Sequence, residues 1–288
     1  MAQADKYSIR DLKKDFPNDD ICLEYIFSNL HAKTCSCGGR YNRVKGRLKF
    51  QCSKCRFQIA PLVGTIFEKT STPLTLWFHA LFIFSNAKSG VSSKEMERQL
   101  GVTYKCAWRI LKLIRESLKQ DGLPLKGDVE MDEGFFGGKG DAGKNNEMLS
   151  VVMNKKTKVI GAVERKGRMR AKAVKDVSAK TIATFLDHNI YPIDTRLLTD
   201  KSNRYNLASW GYNRQSVNHG NKEYVRGDVH VNNVESFWSH LKRSIKGTHK
   251  AISKKHFQSY LDAFVWHRNN RYNDRERFGT LLGALLQS

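Results

Sequence analysis

The chain is strongly basic and of moderate length. Its 288 residues, 40% of them hydrophobic, are enough for a main domain with one or two small ones. Its 50 lysines and arginines against 28 acidic residues leave a formal net charge of +22, which predicts a polyanionic partner, nucleic acid ahead of a membrane surface. The longest apolar run, Leu74 to Phe84, contains a histidine and is shorter than the roughly 18 residues of a membrane span, which excludes membrane insertion.

Residues 1–34 predict a short helical segment. Ile21, Tyr25 and Leu30 recur at helical spacing and give it an apolar face. The start of the chain is polar and mixed in charge, without the apolar core of a secretory signal. We therefore expect a reducing compartment, where the six cysteines are metal ligands or buried thiols rather than disulfides.

Residues 35–60 predict a zinc ribbon. Two close cysteine pairs flank a short basic segment that suits a hairpin, and four thiolates at the tips of two turns can enclose a zinc ion. The predicted ligands are Cys35, Cys37, Cys52 and Cys55. The first pair has a C-x-C spacing instead of the usual C-x-x-C, so His31 is an alternative to Cys35. Four unligated thiols are the competing interpretation.

Residues 61–125 predict a helix-turn-helix DNA-binding domain. One helix begins at Pro73 and ends at Gly90, and Ser92 to Glu95 fits a capping box before a second, short helix. A turn at Gly101 then precedes a longer helix that begins near Thr103. In a helix-turn-helix that last helix directs its first residues toward the major groove. The residues predicted to face DNA are Thr103, Tyr104, Lys105 and Arg109.

The segment Asp128 to Gly140, with the sequence DVEMDEGFFGGKG, predicts an acidic strand. Val129 and Met131 alternate with acids, so one face of the strand would present several carboxylates. A solvated acidic strand is the simplest interpretation. A half-buried row of acids, however, repels itself without a cation, which favours a divalent metal near Asp132.

The next elements predicted are three strands and a helix. Residues 148–154 and 159–165 suit strands, the basic segment 166–175 leads to a helix over about 178–186, and TRLLTD forms a strand that ends at Asp200. An acid at the carboxyl end of a strand lies where an α/β sheet places its chemistry.

A helix over 233–246 is predicted to carry a third acid. Its apolar stripe includes Val234, Trp238 and Leu241, and Asn232 or Asn233 suits the N-cap. A second face carries Glu235, Ser239, Lys242 and Lys246. Taken alone, this face predicts a solvated row of ion pairs.

Taken in order, these elements predict an α+β chain in which residues 126–288 form a ribonuclease H-like domain, a mixed sheet with flanking helices and a C-terminal helix. In such a core Asp132, Asp200 and Glu235 would converge on two Mg²⁺ or Mn²⁺ ions. Two metals about 4 Å apart suit phosphoryl transfer.

The sequence resembles Merlin-type DDE transposases and their bacterial insertion-sequence relatives. The segments that carry the resemblance are CRFQIAPLVGTIFEKTSTPLTLWF, VEMDEGFFGGK, TDKSNRY and HVNNVESFWSHLKRSIKGTHKAISKKHFQSYLDAFVWHRNNR. It implies a zinc-ribbon and helix-turn-helix front end that recognises terminal inverted repeats, with Asp132, Asp200 and Glu235 as the catalytic acids. It also implies that Lys242 holds DNA phosphate, while Asn232 is a rival for the third acid. Arg243 and Lys246 are further predicted DNA contacts.

These observations predict a DNA transposase that cleaves element ends and joins the 3′ hydroxyls to target DNA, acting as at least a dimer on double-stranded DNA. We expect it in a bacterial cytoplasm or nucleoid, or in a eukaryotic nucleus. Two alternatives stay open: a catalytically silent, transposase-derived DNA-binding regulator, and a ribonuclease H-like nuclease. Cleavage specific to terminal repeats would distinguish them.

Overall fold

A computed structural model describes residues 6–120, 122–137, 155–209, 211–272 and 274–286. By internal contacts the described residues form two compact units, one of residues 6–119 with 270–286 and one of residues 120–269. Across the described residues, every helix is too short or too polar to cross a membrane.

Helices and strands are numbered in chain order. The helices are α1 Ile9–Asp15, α2 Asp19–Leu30, α3 Leu74–Asn86, α4 Ser93–Leu100, α5 Tyr104–Ser117, α6 Ala179–Asn189, α7 Asn203–Ala208, α8 Asn232–Ser244, α9 Phe257–Asn269 and α10 Arg277–Leu286. The strands are β1 Tyr41–Arg43, β2 Phe50–Cys52, β3 Gln58–Ile59, β4 Leu125–Phe136, β5 Thr157–Glu164, β6 Met169–Val174, β7 Ile190–Asp200 and β8 Asn213–Val217.

The first unit combines helices with a small sheet. The strands β1, β2 and β3 form an antiparallel sheet in sequence order. The Ser92 hydroxyl accepts a hydrogen bond from the Glu95 amide and begins α4, Gly101 ends it in the left-handed region, and the Thr103 hydroxyl caps α5. The structure therefore has the two helices and the tight turn that the sequence predicts.

The last helix packs with the first unit. Phe278 of α10 stacks on Tyr7, with 5.5 Å between ring centroids. The apolar face of α10, which includes Leu281, Leu282 and Leu285, is fully buried. The sequence predicts one domain over residues 126–288; by internal contacts residues 270–286 group with the first unit.

The second unit is built on a five-stranded mixed sheet. The strand order is β6-β5-β4-β7-β8, with β4, β7 and β8 parallel to one another and β5 and β6 antiparallel to their neighbours. The centre of the sheet is therefore β4, the strand that carries the predicted first acid.

Helices cover both faces of this sheet. On one face, Val129 and Met131 of β4 pack in a cluster with Ile182, Phe185 and other residues of α6. On the other face, a second cluster joins residues of α8 and α9 to β4, β5 and β6. These contacts confirm the mixed α+β architecture predicted for this half of the chain.

Two strands of this sheet, β6 and β8, are not among those predicted from the sequence. The basic segment 166–175, expected only to lead to a helix, contains β6, in which Met169, Arg170 and Ala171 are all buried. The buried guanidinium of Arg170 donates a hydrogen bond to the Leu123 carbonyl at 2.6 Å, which offsets part of the cost of burying its charge. The strand predicted over 148–154 lies outside the described residues.

Side chains cover the outer edge of β6. Three backbone amides that face away from β5 each donate to a side-chain carbonyl. The pairs are Met169 with Asn269 at 2.8 Å, Ala171 with Gln120 at 3.2 Å and Ala173 with Gln258 at 2.8 Å. Asp262 in turn accepts a hydrogen bond from both glutamines, at 2.8 Å each. The sheet thus ends at β6 against side-chain amides.

Candidate catalytic and zinc sites

Two of the predicted acids lie on neighbouring parallel strands. Met131 of β4 pairs with Thr199 of β7, so Asp132 and Asp200 follow directly at adjacent positions. Asp200 is the last residue of β7. Parallel pairing thus brings together two carboxylates that the sequence separates widely.

The carboxylates of β4 differ in their hydrogen-bond donors. Asp128 accepts two hydrogen bonds from Arg196, at 2.9 and 2.7 Å, and Glu130 accepts one from Arg165 at 3.0 Å. Asp132 instead accepts a hydrogen bond from the Trp238 indole at 3.1 Å. Arginines therefore neutralise the first two acids, whereas Asp132 meets a neutral donor.

The environment of Asp132 disfavours its charged form. Burial, together with the negative charges of Glu133 and Asp200, raises the pKa of Asp132 to about 7. Burial also raises the pKa of Glu133, which lies in the next position of the strand and so on the opposite face of the sheet. A cation beside Asp132 and Asp200 would relieve this repulsion.

His219 links the second and third acids. Its Nδ1 atom lies 3.1 Å from Asp200 Oδ1 and 3.8 Å from Glu235 Oε1. The two carboxylate oxygens therefore lie near one imidazole nitrogen, no further apart than the sum of these distances. From the sequence, His219 is a candidate neighbour of the metals but is not assigned to the site.

The acid site is loose compared with a closed metal centre. Within the described residues, four cysteines are the only group of three or more possible ligands whose donor atoms all lie within 4.8 Å of one another. Asp200 and Glu235 are also partly open to solvent, with 36% and 47% of their side chains exposed. An open arrangement of this kind leaves room for a substrate.

Glu130 is fully buried and holds the start of α8. The Asn233 amide donates to Glu130 Oε2 at 2.7 Å, and the Asn233 side chain donates to Oε1 at 2.7 Å. The helix begins at Asn232, after Val231, which offers no side-chain cap. The expectation that Asn232 or Asn233 caps this helix is wrong, because a carboxylate from β4 takes that role.

The four cysteines predicted to bind zinc lie together. The sulfurs of Cys35 and Cys55 are 3.7 Å apart and those of Cys37 and Cys52 are 3.4 Å apart. A tetrahedral zinc site with Zn–S bonds of about 2.3 Å separates its sulfurs by about 3.8 Å. The cluster therefore fits one zinc ion, and Cys35, not His31, completes the set.

The turn of the first cysteine pair is shaped around this cluster. A Cβ atom on Gly39 would lie 2.4 Å from the Cys52 sulfur, so only glycine fits there. A hydrogen bond from the Cys37 backbone and another from the Tyr41 side chain lower the pKa of Cys35. Hydrogen bonds with the neighbouring Cys37 and Cys52 thiols raise the pKa of Cys55, so the four thiols ionise as one interacting group.

Comparison with known proteins identifies the second unit. A family model described as an ISXO2-like transposase domain matches residues 124–269, which is half of the chain and includes all three acids. The chain belongs to this transposase family. An uncharacterized protein in transposable element ISH50 of Halobacterium salinarum is 26% identical over 262 residues, covering 86% of this chain and 87% of the relative. These matches confirm the resemblance to insertion-sequence transposases.

The predicted phosphate-binding residues of the transposase domain lie along α8 and just beyond it. Lys242 is exposed, and its ammonium lies 5.9 Å from the centroid of the Phe136 ring. Arg243, also exposed, donates to the Ser239 hydroxyl at 3.1 Å. Lys246 lies in a π-helical turn over Ile245–His249 that directly continues α8, so helical backbone covers the predicted span of 233–246.

In the first unit of the transposase, α5 presents an aromatic and basic face. Tyr104 and Trp108 are 44% and 38% exposed, and lysine ammonium groups lie over both rings. A shallow cavity of about 560 Å³ lies on this face. Its lining residues are Tyr104, Lys105, Trp108, Arg109, Lys112 and Leu113. Trp108 and Lys112 extend the set predicted from the sequence.

Proposed function

We propose that this chain is a DNA transposase that cleaves the ends of a mobile element and joins the 3′ hydroxyls to target DNA. Its catalytic residues are Asp132, Asp200 and Glu235, which bind two Mg²⁺ or Mn²⁺ ions. Its DNA substrates are terminal inverted repeats and a target duplex. Membership of the transposase family supports the class of protein, and the site supports the chemistry.

One observation carries the proposal. Asp132 and Asp200 occupy adjacent positions on parallel strands, and the Asp200 carboxylate shares His219 with Glu235. Oxygen ligands in this number suit a hard divalent cation. When bound, such ions activate the attacking oxygen and stabilise the leaving oxygen of a phosphodiester.

The strand order supports a ribonuclease H-like core. The sheet order β6-β5-β4-β7-β8, with antiparallel strands on one side of β4 and parallel strands on the other, suits such a core. The strand that ends in Asp200 and the helix that carries Glu235 follow in the expected order. Of the three strands expected before them, the one over 148–154 lies outside the described residues, and β6, which was not predicted, completes this side of the sheet.

The chain's own residues orient the acids and the DNA. The Trp238 indole holds one oxygen of Asp132, and His219 lies near the other two carboxylates. Lys242, near Phe136 on the same strand as Asp132, is placed to hold a phosphate. We propose that Arg243 and Lys246 add phosphate contacts farther along.

Recognition of the element ends falls to the first unit. We propose that α4 and α5 act as a helix-turn-helix, with Thr103, Tyr104, Lys105 and Arg109 at the groove, and that a structural zinc folds the ribbon. The exposed aromatic rings of α5 also suit contacts with sugars and bases. Two ends must be held together, so the working form is at least a dimer, located wherever its DNA is.

The test uses purified protein, a labelled duplex ending in the repeats that flank the gene, and Mg²⁺ or Mn²⁺. The expected product is a 3′ end at the element boundary, followed by a joined product when target DNA is added. Asp132→Ala and Glu235→Ala should lose cleavage and keep end binding. Strand transfer by either variant would contradict the proposal.

The same assay separates the two alternatives. A silent regulator would bind the repeat and release no cut product in either metal. A simple nuclease would cut random duplex as fast as the repeat. The presence of all three acids and of the helix pair favours the transposase over both.

A further inference from the structure

Two hydrogen-bonded pairs connect the strand of the first acid to the helix of the third. Glu130 of β4 binds Asn233 of α8, and Asp132 of β4 accepts a hydrogen bond from Trp238 of α8. Asn233 and Trp238 lie on either side of Glu235 in the chain. The helix is therefore tied to the strand both before and after its acid.

The burial of Glu130 calls for a role other than packing. It is 0% exposed at the centre of the sheet, where an apolar side chain would stabilise the fold at lower desolvation cost. Both of its oxygens are occupied. The partners besides Asn233 are Arg165 Nε at 3.0 Å and His230 Nδ1 at 3.2 Å.

The period of a strand explains why the two pairs act together. Residues two apart in a strand point to the same face, so Glu130 and Asp132 both face α8. A negative charge at the first turn of a helix also interacts favourably with its dipole. The Glu130 carboxylate thus fixes the start of α8, and the Asp132 carboxylate is held by Trp238 of the same helix.

Trp238 fits this arrangement only because two residues lack side chains. A Cβ atom on Gly161 would lie 2.5 Å from the indole, and one on Gly134 would lie 3.1 Å from it. The ring therefore packs closely against the backbone of β4 and β5. This close contact holds its N–H toward Asp132.

We propose that Glu130 is a positioning residue. By binding Asn233 it sets the position of Glu235 relative to Asp132, and so the spacing of the ligands for the divalent metal. Glu130 itself touches neither metal nor DNA. This inference rests on the proposed function, because it assigns a task to the same acid site.

The decisive variant is Glu130→Gln, which keeps shape and removes one acceptor oxygen. With only one carbonyl oxygen, it cannot satisfy both donors of Asn233 together with Arg165. Mn²⁺ alone is titrated into wild type and variant and followed by electron paramagnetic resonance. We expect Mn²⁺ binding to weaken about 10–100-fold. Unchanged Mn²⁺ affinity would overturn the proposal.

Glu164→Gln is the matched control. Glu164 is a partly buried carboxylate of the same sheet that accepts the Lys126 amide at 2.9 Å and the Arg168 amide at 3.0 Å. Its bonds do not involve α8, so this variant should bind Mn²⁺ as wild type does. Equal losses in Glu130→Gln and Glu164→Gln would mean a general loss of structure and would overturn the positioning role.

A second variant keeps the inference testable if Glu130→Gln does not fold. Asn233→Ala preserves the buried charge of Glu130 and its pairing with Arg165, and removes one bond to the helix. We expect it to melt close to wild type and to lose about 10-fold in Mn²⁺ affinity. Wild-type affinity in this variant would contradict the proposal.

Metal-free protein offers an independent measurement. With ¹⁵N-labelled tryptophan the five indole groups give separate signals, and Trp238→Phe assigns the one of interest. We expect Asn233→Ala to shift the Trp238 signal, because the whole helix moves relative to Asp132. Glu164→Gln should leave it in place. An unmoved signal in Asn233→Ala would count against the proposal.

The failure of the proposed function would look different. If wild type neither binds Mn²⁺ nor cleaves repeat DNA, the transposase proposal fails and Glu130 has no acid site to position. If wild type does both and the Glu130 and Asn233 variants match it, only the positioning role fails. In cleavage assays the positioning role predicts a lower kcat with an unchanged KM for DNA.

Discussion

The cysteine cluster and the acid site are both candidate metal centres, and they are assembled in opposite ways. The cluster takes four sulfurs from one short stretch, between Cys35 and Cys55, and brings them within 4.8 Å of one another. The acid site takes one carboxylate each from β4, β7 and α8 and leaves two of them partly exposed. We call the first the closed site, because its four donors could surround a single ion, and the second the open site, because its donors come from three separate elements and leave room for a substrate.

The two sites also differ in how far the surrounding fold would depend on a bound metal. We expect a three-stranded ribbon with so small a core to depend on bound zinc for its stability. The sheet of the second unit has an apolar cluster on each face, so its fold does not require a metal. Metal removal should therefore unfold the ribbon and leave the acid site in place.

The largest expected effect follows from breaking the closed site. In Cys52→Ser the ribbon should lose its zinc and unfold, since zinc binding contributes roughly 10–16 kcal/mol in small zinc domains. Zinc content and the amide signals of residues 35–59 report this directly. Cys106→Ser, outside the cluster, is the control. A Cys52→Ser protein with full zinc content and an intact ribbon would erase the distinction between the two sites.

The second-largest effect concerns the charge of Asp132 and its influence on the stability of the metal-free protein. The folded-state pKa of Asp132 is raised to about 7, so its contribution to stability is present at low pH and lost as the pH rises from about 4 to about 7. Asp132→Asn should therefore stabilise the metal-free protein at pH 8 by about 2–4 kcal/mol. At pH 4 the gain should vanish.

Melting curves at the two pH values, recorded with a chelator, check this prediction. The same variant should lose DNA cleavage in Mg²⁺, so that stability and activity change in opposite directions. Destabilisation of Asp132→Asn at pH 8 would mean that Asp132 supports the fold, as the cysteines do.

A third change tests how the open site is supported. In Gly161→Ala the new methyl group would lie 2.5 Å from the Trp238 ring and push the indole away from Asp132. We expect a loss of about 1–3 kcal/mol in the free energy of unfolding, typical of overpacking, and a weaker Mn²⁺ affinity. Gly283→Ala, with open space around its added methyl, is the control. Chemical denaturation of both variants gives the comparison.

The smallest effect is expected at the DNA-facing edge of the open site. Lys242→Ala should remove about one phosphate contact, which lowers the slope of log affinity against log salt by about 0.9. Lys180→Ala, a change at another exposed lysine, on α6 at the other face of the sheet, should leave the slope unchanged. Salt titrations of DNA binding measure both. Equal slopes for the two variants would remove Lys242 from the DNA path.

The sequence predicted the elements whose signals are local. Alternation around Val129 and Met131 marked β4, the strand ending at Asp200 marked β7, and the cysteine spacing marked the ribbon. Each of these patterns lies within a few residues and follows directly from strand period or ligand geometry. The positions of the three acids within their elements followed from the same local patterns.

The contacts that organise the site could not be predicted, because each joins distant parts of the chain. Glu130 caps a helix that begins about a hundred residues later, and nothing local distinguishes it from Asp132 in the acidic strand. The position of His219 near two acids depends on how β8 continues into the following loop. The strand β6 was missed because its arginine and lysine conceal a buried segment.

The side-chain amides along β6 have a consequence for how the chain is made. Gln258 and Asn269 are synthesised 85 and 100 residues after the backbone groups they cover. Until α9 folds onto the sheet, two of the three hydrogen-bonding positions on that edge are open to any extended segment nearby. Pairing of this edge with a strand of another copy would therefore be limited to this interval, which ends when α9 docks.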